Sequence, residues 1–227
     1  MGYTFNFQAV LQHTDLLLAG AWTTAVLAFW ATISGFVMGT LCAVGTTRGP
    51  KWLRAVLIAY VEVARNTPLL IQAYFLIFGL ASAGVRMPIM VGAVIALVVN
   101  VTAYTAEVMR AGLESVRTSQ LEAAECLGLS RLQIFMNIIL RPAMERVYPS
   151  LSSLFVLLML GSSILSAVGI EELFASSNRI QSITYRNFET FIVLGAAYLM
   201  LTLLMRLTFW ALGLVLFPRQ RRLGTAL

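Results

Sequence analysis

The chain has 227 residues, 59% of them in the apolar set AVILMFWYC and only 11% charged, with a mean hydropathy of +0.84. Globular domains carry charge at about a quarter of their positions, so these values exclude a disordered chain or an ordinary soluble one and indicate a membrane protein. Sixteen Lys and Arg against ten Asp and Glu give a formal net charge of +6, which in a membrane chain reports orientation rather than a nucleic-acid partner.

Residues 1–15 contain no Lys or Arg, so the basic start of a secretory signal is missing and the apolar stretch that follows reads as a retained anchor. From Leu16 to Thr47 there are 32 uncharged residues. As a helix these would extend about 48 Å at 1.5 Å per residue, more than the roughly 30 Å hydrocarbon core, which predicts one tilted or protruding span over 16–46. Arg48, Gly49, Pro50, Lys51 and Arg54 end it with turn chemistry and cations. A second span is expected over 55–78. After a connection rich in Gly, Ser and Ala, a third is expected over 87–106. The longest polar interval, 107–146, holds Arg110, Arg117, Arg131, Arg141 and Arg146 with Glu114, Glu122, Glu125 and Glu145, and is predicted to lie in water or against a polar partner. Two further spans, 147–168 and 190–213, complete the prediction: an all-α integral membrane protein with five transmembrane helices in one domain covering 1–227.

Five crossings put the termini on opposite sides. The Arg48 loop, the 107–146 interval and the tail with Arg219, Arg221 and Arg222 hold eleven of the sixteen cations, against Arg86, Arg179 and Arg186 opposite. The excess marks the cytoplasmic side, which leaves the N-terminus outside and the C-terminus cytoplasmic. Arg65 and Arg206 fall within expected spans.

Several polar side chains sit at membrane depth. Glu62 and Arg65 share a helix face at three-residue spacing, as do Glu107 and Arg110 near the cytoplasmic boundary. Each pair reads either as a structural ion pair or as part of a pathway. Thr67-Pro68 interrupts the second span by removing a backbone donor, which fits a packing kink or the broken helix of a transporter site. Asn100 carries an amide that hydrocarbon cannot satisfy, and Tyr104 lies four residues later on the same face. Gln72 is a further pathway candidate. Ser162 and Ser163 fit either substrate contact or close helix packing, and Gly35 and Gly39 match the GxxxG pattern of close helix approach. His13 is the sole histidine and the two cysteines, Cys42 and Cys126, lie in different kinds of segment. No metal site, catalytic triad or nucleophile and base pair can be assembled from these residues, so no catalytic residue is assigned.

Within 107–146, Glu122, Ala123, Ala124 and Leu127 are good helix formers, Gly128 is a helix stop and Ser130 a natural cap. Two short helices joined at Gly128 are expected, either a solvated hairpin or a piece that lies in a groove of another protein. Glu122-Ala123-Ala124, then Gly128, then Ile138 and Leu140 resemble the EAA motif of permease subunits of ATP-binding cassette importers. Ala64-Arg-Asn-Thr-Pro-Leu-Leu70, Ala103-Tyr-Thr-Ala-Glu-Val-Met-Arg110 and Ser166-Ala-Val-Gly-Ile-Glu-Glu172 are similar to the polar amino acid uptake branch of histidine, glutamine and glutamate type. Arg65-Asn66-Thr67-Pro68 looks most like glutamate and aspartate permeases. Two departures stand out: Arg141 intervenes before Pro142, where the family usually has Pro directly after Leu, and Leu160-Gly161 occupy positions where relatives often carry Lys and a polar or acidic residue.

The resemblance implies a multi-pass protein of the bacterial cytoplasmic (inner) membrane with five spans and an external N-terminus. It implies that Glu122, Ala123, Ala124 and Gly128 couple to a pair of cytoplasmic ATP-binding subunits, and that the matching Asn, Asn100, contacts an amino acid substrate. A second permease half, a paralogue rather than an identical copy, and a soluble external substrate-binding protein are the other implied partners, with lipid around them. The chain has no G-x-x-x-x-G-K-[ST] loop, so it is expected to bind no cofactor and to be no enzyme, ATP and Mg being held by the partner ATPase. The competing reading is an ion-coupled secondary amino acid transporter built on Glu62, Glu107 and the broken second helix.

Overall fold

Residues 3–218 are described by the computed structural model, and helix is the only regular structure among them. The four tail positions that include Arg219, Arg221 and Arg222 lie outside the described residues. Four helical stretches are long and apolar enough to cross a membrane: Thr14–Arg48, Ile89–Glu114, Arg131–Val168 and Asn187–Leu216. A fifth is reached if the broken pair Lys51–Arg65 and Leu69–Ser82 counts as one span. Helix suits this composition because a bilayer offers backbone N–H and C=O groups no water, and helix satisfies them within one segment.

In chain order the helices are α1 (Phe7–Leu11), α2 (Thr14–Arg48), α3 (Lys51–Arg65), α4 (Leu69–Tyr74), a π-helical turn (Phe75–Gly79), α5 (Leu80–Ser82), α6 (Ile89–Glu114), α7 (Thr118–Cys126), α8 (Arg131–Gln133), a second π-helical turn (Ile134–Leu140), α9 (Arg141–Gly161), a 3-10 segment (Ser162–Val168), α10 (Leu173–Thr184) and α11 (Asn187–Leu216). They form two units, one of Met1–Thr32, Leu69–Leu97 and Val156–Thr208, the other of Ile33–Pro68, Val98–Phe155 and Phe209–Leu227.

The first unit has a core of Val10, Leu17, Leu173, Ile180 and Leu194. Its polar fastenings are two fully buried carboxylates. Glu172 caps α10, accepting from the backbone N–H of Phe174 at 2.9 Å and Ala175 at 2.8 Å and from the Tyr198 hydroxyl at 2.8 Å. Beside it, Leu173 N donates to Thr24 Oγ1 at 3.2 Å. Glu189 accepts from Asn6 N at 2.8 Å and from the Tyr3 hydroxyl, which ties the start of the chain to the start of α11. Along α11 only 6% of the most apolar stretch is buried, and Leu199, Met200, Leu203, Leu207 and Trp210 are exposed, the pattern of a lipid-facing helix.

In the second unit α2 and α6 approach at Gly35 and Gly39. A Cβ at Gly39 would lie 2.5 Å from Thr105 Cβ and 3.0 Å from Thr102 O, and one at Gly35 would fall onto Val101. The GxxxG spacing therefore marks a real backbone approach. Cys42, Val61 and Ala106 bury together beside Leu57 and Tyr60, whose hydroxyl donates to Val99 O at 2.7 Å. Further along, Tyr148 donates to Phe209 O at 2.6 Å and Phe155 stacks on Phe209 at 5.8 Å between centroids.

The polar interval is more helical than its composition suggests. α6 continues through Glu107 and Arg110 to Glu114, and from Arg131 the helix runs without a break to Val168. The segment after Gly128 is thus the start of a span rather than a short helix. Charge does not stop a helix whose side chains pair at i+3 and i+4, as Glu107, Arg110 and Glu114 do.

Two outcomes are expected. Gly39→Leu should lower thermal stability in detergent by roughly 1–3 kcal/mol through overpacking, whereas Gly195→Ala, whose added methyl would meet nothing within 4 Å, should be neutral or stabilising in the same melt. Burial pushes the Glu172 carboxyl above its ordinary 4.5. A raised folded value means the native state holds the proton more tightly, so stability should fall as pH rises through the range above 4.5. A Glu172→Gln melt measured across the same pH series should be flatter than that of the parent.

Candidate functional site

The segment from Thr118 to Gln133 is built by local chemistry. α7 ends on paired hydrogen bonds around a left-handed residue: Gly128 N donates to Glu125 O at 2.9 Å and Leu129 N to Ala124 O at 3.2 Å, with Gly128 at φ +72°. Glycine reaches that φ without the penalty a Cβ would bring. Two residues on, Ser130 opens the next helix with a capping box. Its hydroxyl accepts from Gln133 N at 3.4 Å and its own N donates to Gln133 Oε1 at 2.8 Å. One helix closes and another opens within three residues, so the turn is sharply defined.

What this turn presents follows from its geometry. Glu122 and Ala123 are exposed, whereas Ala124 is buried and packs inward. Leu127 is 79% and Leu132 70% exposed, one on each side of the turn. Two large apolar side chains are thus held in the open on a polar segment, a feature that the helix-forming pattern alone did not single out. Arg146 Nη1 donates to Ser115 O at 3.0 Å, which secures the C-terminal end of α6.

A charged network lies in the same unit. Arg65 Nη1 is 3.7 Å from Glu107 Oε2, Glu107 also pairs with Arg110, and Arg110 pairs with Glu114 at 2.7 Å. The Arg65 guanidinium lies 5.7 Å from the Tyr104 ring centroid, and the Tyr104 hydroxyl donates to Arg65 O at 3.3 Å. Glu62 accepts from the Asn66 amide at 3.2 Å, so Arg65 reaches across to Glu107 rather than along its own helix to Glu62. A cavity of about 240 Å³ is lined by Arg54, Glu62, Glu107, Arg110 and Glu114 with apolar residues of α3 and α6. Asn100 is half-buried one helical turn before Tyr104.

At the helix break, where Pro68 stops α3, the Thr67 hydroxyl donates to Val63 O at 2.7 Å, and the Asn66 amide donates to Glu62 O at 2.8 Å alongside the Asn66 backbone N–H at 3.1 Å. Gln72, Ser162 and Ser163 belong to the other unit. Gln72 is half-buried on α4. The hydroxyls of Ser162 and Ser163 donate to Met159 O at 2.7 Å and Leu160 O at 2.8 Å, so they engage the backbone of the last turn of α9.

Known proteins resemble the chain over most of its length. It is 31% identical over 208 residues to the nopaline transport system permease protein of Agrobacterium fabrum, covering 87% of this chain and 86% of the relative. It is 33% identical over 198 residues to a probable glutamine ABC transporter permease protein of Bacillus subtilis, covering 87% and 92%. A solved amino acid ABC transporter with histidines superposes at a TM-score of 0.84 and 33% identity, covering 93% of this chain and 99% of that one. Residues 35–221, which include the α7 turn, the charged network and the broken helix, match one family profile. The chain belongs to the family of binding-protein-dependent transport system inner membrane components.

Proposed function

We propose that this chain is the membrane-spanning permease subunit of an ATP-driven importer that carries a polar amino acid into the cytoplasm. The observation that carries the coupling role is the turn at Gly128 to Ser130, which holds Leu127 and Leu132 exposed beside Glu122 and Ala123. A rigid turn with an apolar tip suits insertion into a groove of a separate ATP-hydrolysing subunit, and that subunit brings the ATP and Mg. Counting the broken pair as one span gives five crossings. The cation asymmetry supports an N-terminus outside and an α7 turn in the cytoplasm. A pair of ATP-binding subunits, a second permease half and an external binding protein complete the assembly.

Substrate access is assigned to the break at 66–68 and to Asn100 and Tyr104, with glutamate, aspartate or a related polar amino acid as cargo. The names of relatives that handle glutamine and nopaline support the amino acid class. Leu160-Gly161 leaves residues 147–168 without fixed charge, which fits a paralogous partner that supplies the charged contacts. An ion-coupled mechanism is less favoured, because Glu107 is engaged by Arg65 and Arg110 and is poorly placed to shuttle a proton.

Reconstitution with the ATPase and any second permease half in liposomes tests these assignments by comparing ATP-driven with gradient-driven uptake. Gly128→Pro should abolish ATP-driven uptake and weaken ATPase association while membrane insertion persists, since proline cannot reach φ +72° and lacks the N–H that meets Glu125 O. Gly128→Ala should lie between, as no atom approaches within 4 Å and only the backbone preference of about 1 kcal/mol is lost. Full uptake by the proline variant would exclude the coupling role. Asn100→Leu should reduce transport with ATPase binding retained, and unchanged uptake kinetics would remove Asn100 from the pathway.

A further inference from the structure

The second unit contains a cavity of about 270 Å³ between the π-helical turn with the start of α9 and the end of α11. Met136, Leu140, Met144 and Leu216 give it an apolar wall, while Asn137 and Arg141 are polar and no acidic residue lines it. Arg141 is exposed and, among the described residues, takes part in no ion pair. Both flanking helices belong to membrane spans, and α11 is the most lipid-exposed of them. The cavity therefore pairs an unneutralised guanidinium at the mouth of two spans with an apolar slot continuous with a lipid-facing helix.

That combination suits an anion joined to an acyl chain. We propose that this groove binds an anionic phospholipid of the phosphatidylglycerol class, with its phosphate on Arg141, the Asn137 amide as a second donor, and an acyl chain along Met136, Leu140, Met144 and Leu216. Charge complementarity selects this occupant over a zwitterionic lipid. The proposal needs only that the chain spans a membrane and does not depend on the importer assignment.

Native mass spectrometry of the assembled complex tests it, using the full-length permease extracted from membranes that contain equal amounts of phosphatidylglycerol and phosphatidylcholine. The parent should retain phosphatidylglycerol preferentially, and Arg141→Gln should reduce that preference about tenfold, the loss of one charge-assisted hydrogen bond. Arg141→Lys should keep most of it. Arg86→Gln removes the same charge from an exposed loop residue that does not line the groove and should leave the preference intact. Equal retention of both lipids by the parent, equal losses in the two glutamine variants, or displacement of the lipid when the ATPase joins the permease would each overturn the assignment.

Discussion

A peptide group that leaves a helix inside a bilayer has no water to turn to, so each interruption of a spanning helix must bring its own replacement partners. At the break after Arg65 the Thr67 hydroxyl takes up the carbonyl of Val63, while Glu62 O keeps the backbone N–H of Asn66 and gains its side-chain amide. The break after Val168 uses Gly169 at φ +92°, whose N donates to Ser166 O at 3.1 Å, followed by Ile170 N to Leu165 O at 3.2 Å. Glu172 then caps the helix that follows. The same device, with a left-handed glycine and a side-chain cap, recurs at Gly128 and Ser130 in the segment between spans. The chain changes direction where short polar side chains are available to replace backbone bonds.

Charge is handled with comparable economy. Arg65, Glu107, Arg110 and Glu114 sum to zero and are linked in sequence through three ion pairs. Their side chains are roughly a third to a half exposed, so each pair contributes little stability on its own. The benefit is geometric, because a neutral network lets α6 continue as helix past the apolar stretch and carry the α7 turn at a fixed distance from the membrane-spanning part. Buried Glu172 and Glu189 act differently: each gathers several donors from separate segments and orders the elements around them.

The sequence made the α7 turn legible because its signals are local: a glycine at the left-handed position and a Ser-x-x-Gln capping box lie within six residues. The apolar runs likewise overlap the helices that are long and apolar enough to cross a membrane. Harder to read was the extent of helix in 107–146, since hydropathy falls where the hydrogen-bond ladder continues. The partner of Arg65 was hidden for another reason. Three-residue spacing pointed to Glu62, but Glu107 lies 42 positions away and meets Arg65 only through packing of α3 on α6. GxxxG is weak as a pattern, yet its two glycines sit where α6 backbone and side chains leave no space for a Cβ. Exposure of Leu127 and Leu132 depends on which face of α7 turns inward, and the buried Ala124 decides that.

The π-helical turn over Ile134–Leu140 bears on which way the helix beyond it faces. In an α-helix an added residue would rotate everything downstream by about 100°, turning a lipid-facing stripe toward protein. A π-turn takes one more residue than an α-turn, and beyond it Ala143, Val147 and Leu151 share a buried face. Arg141, the first residue after the widened turn, stands exposed while that face stays buried, so charge and packing share one stretch of helix without conflict.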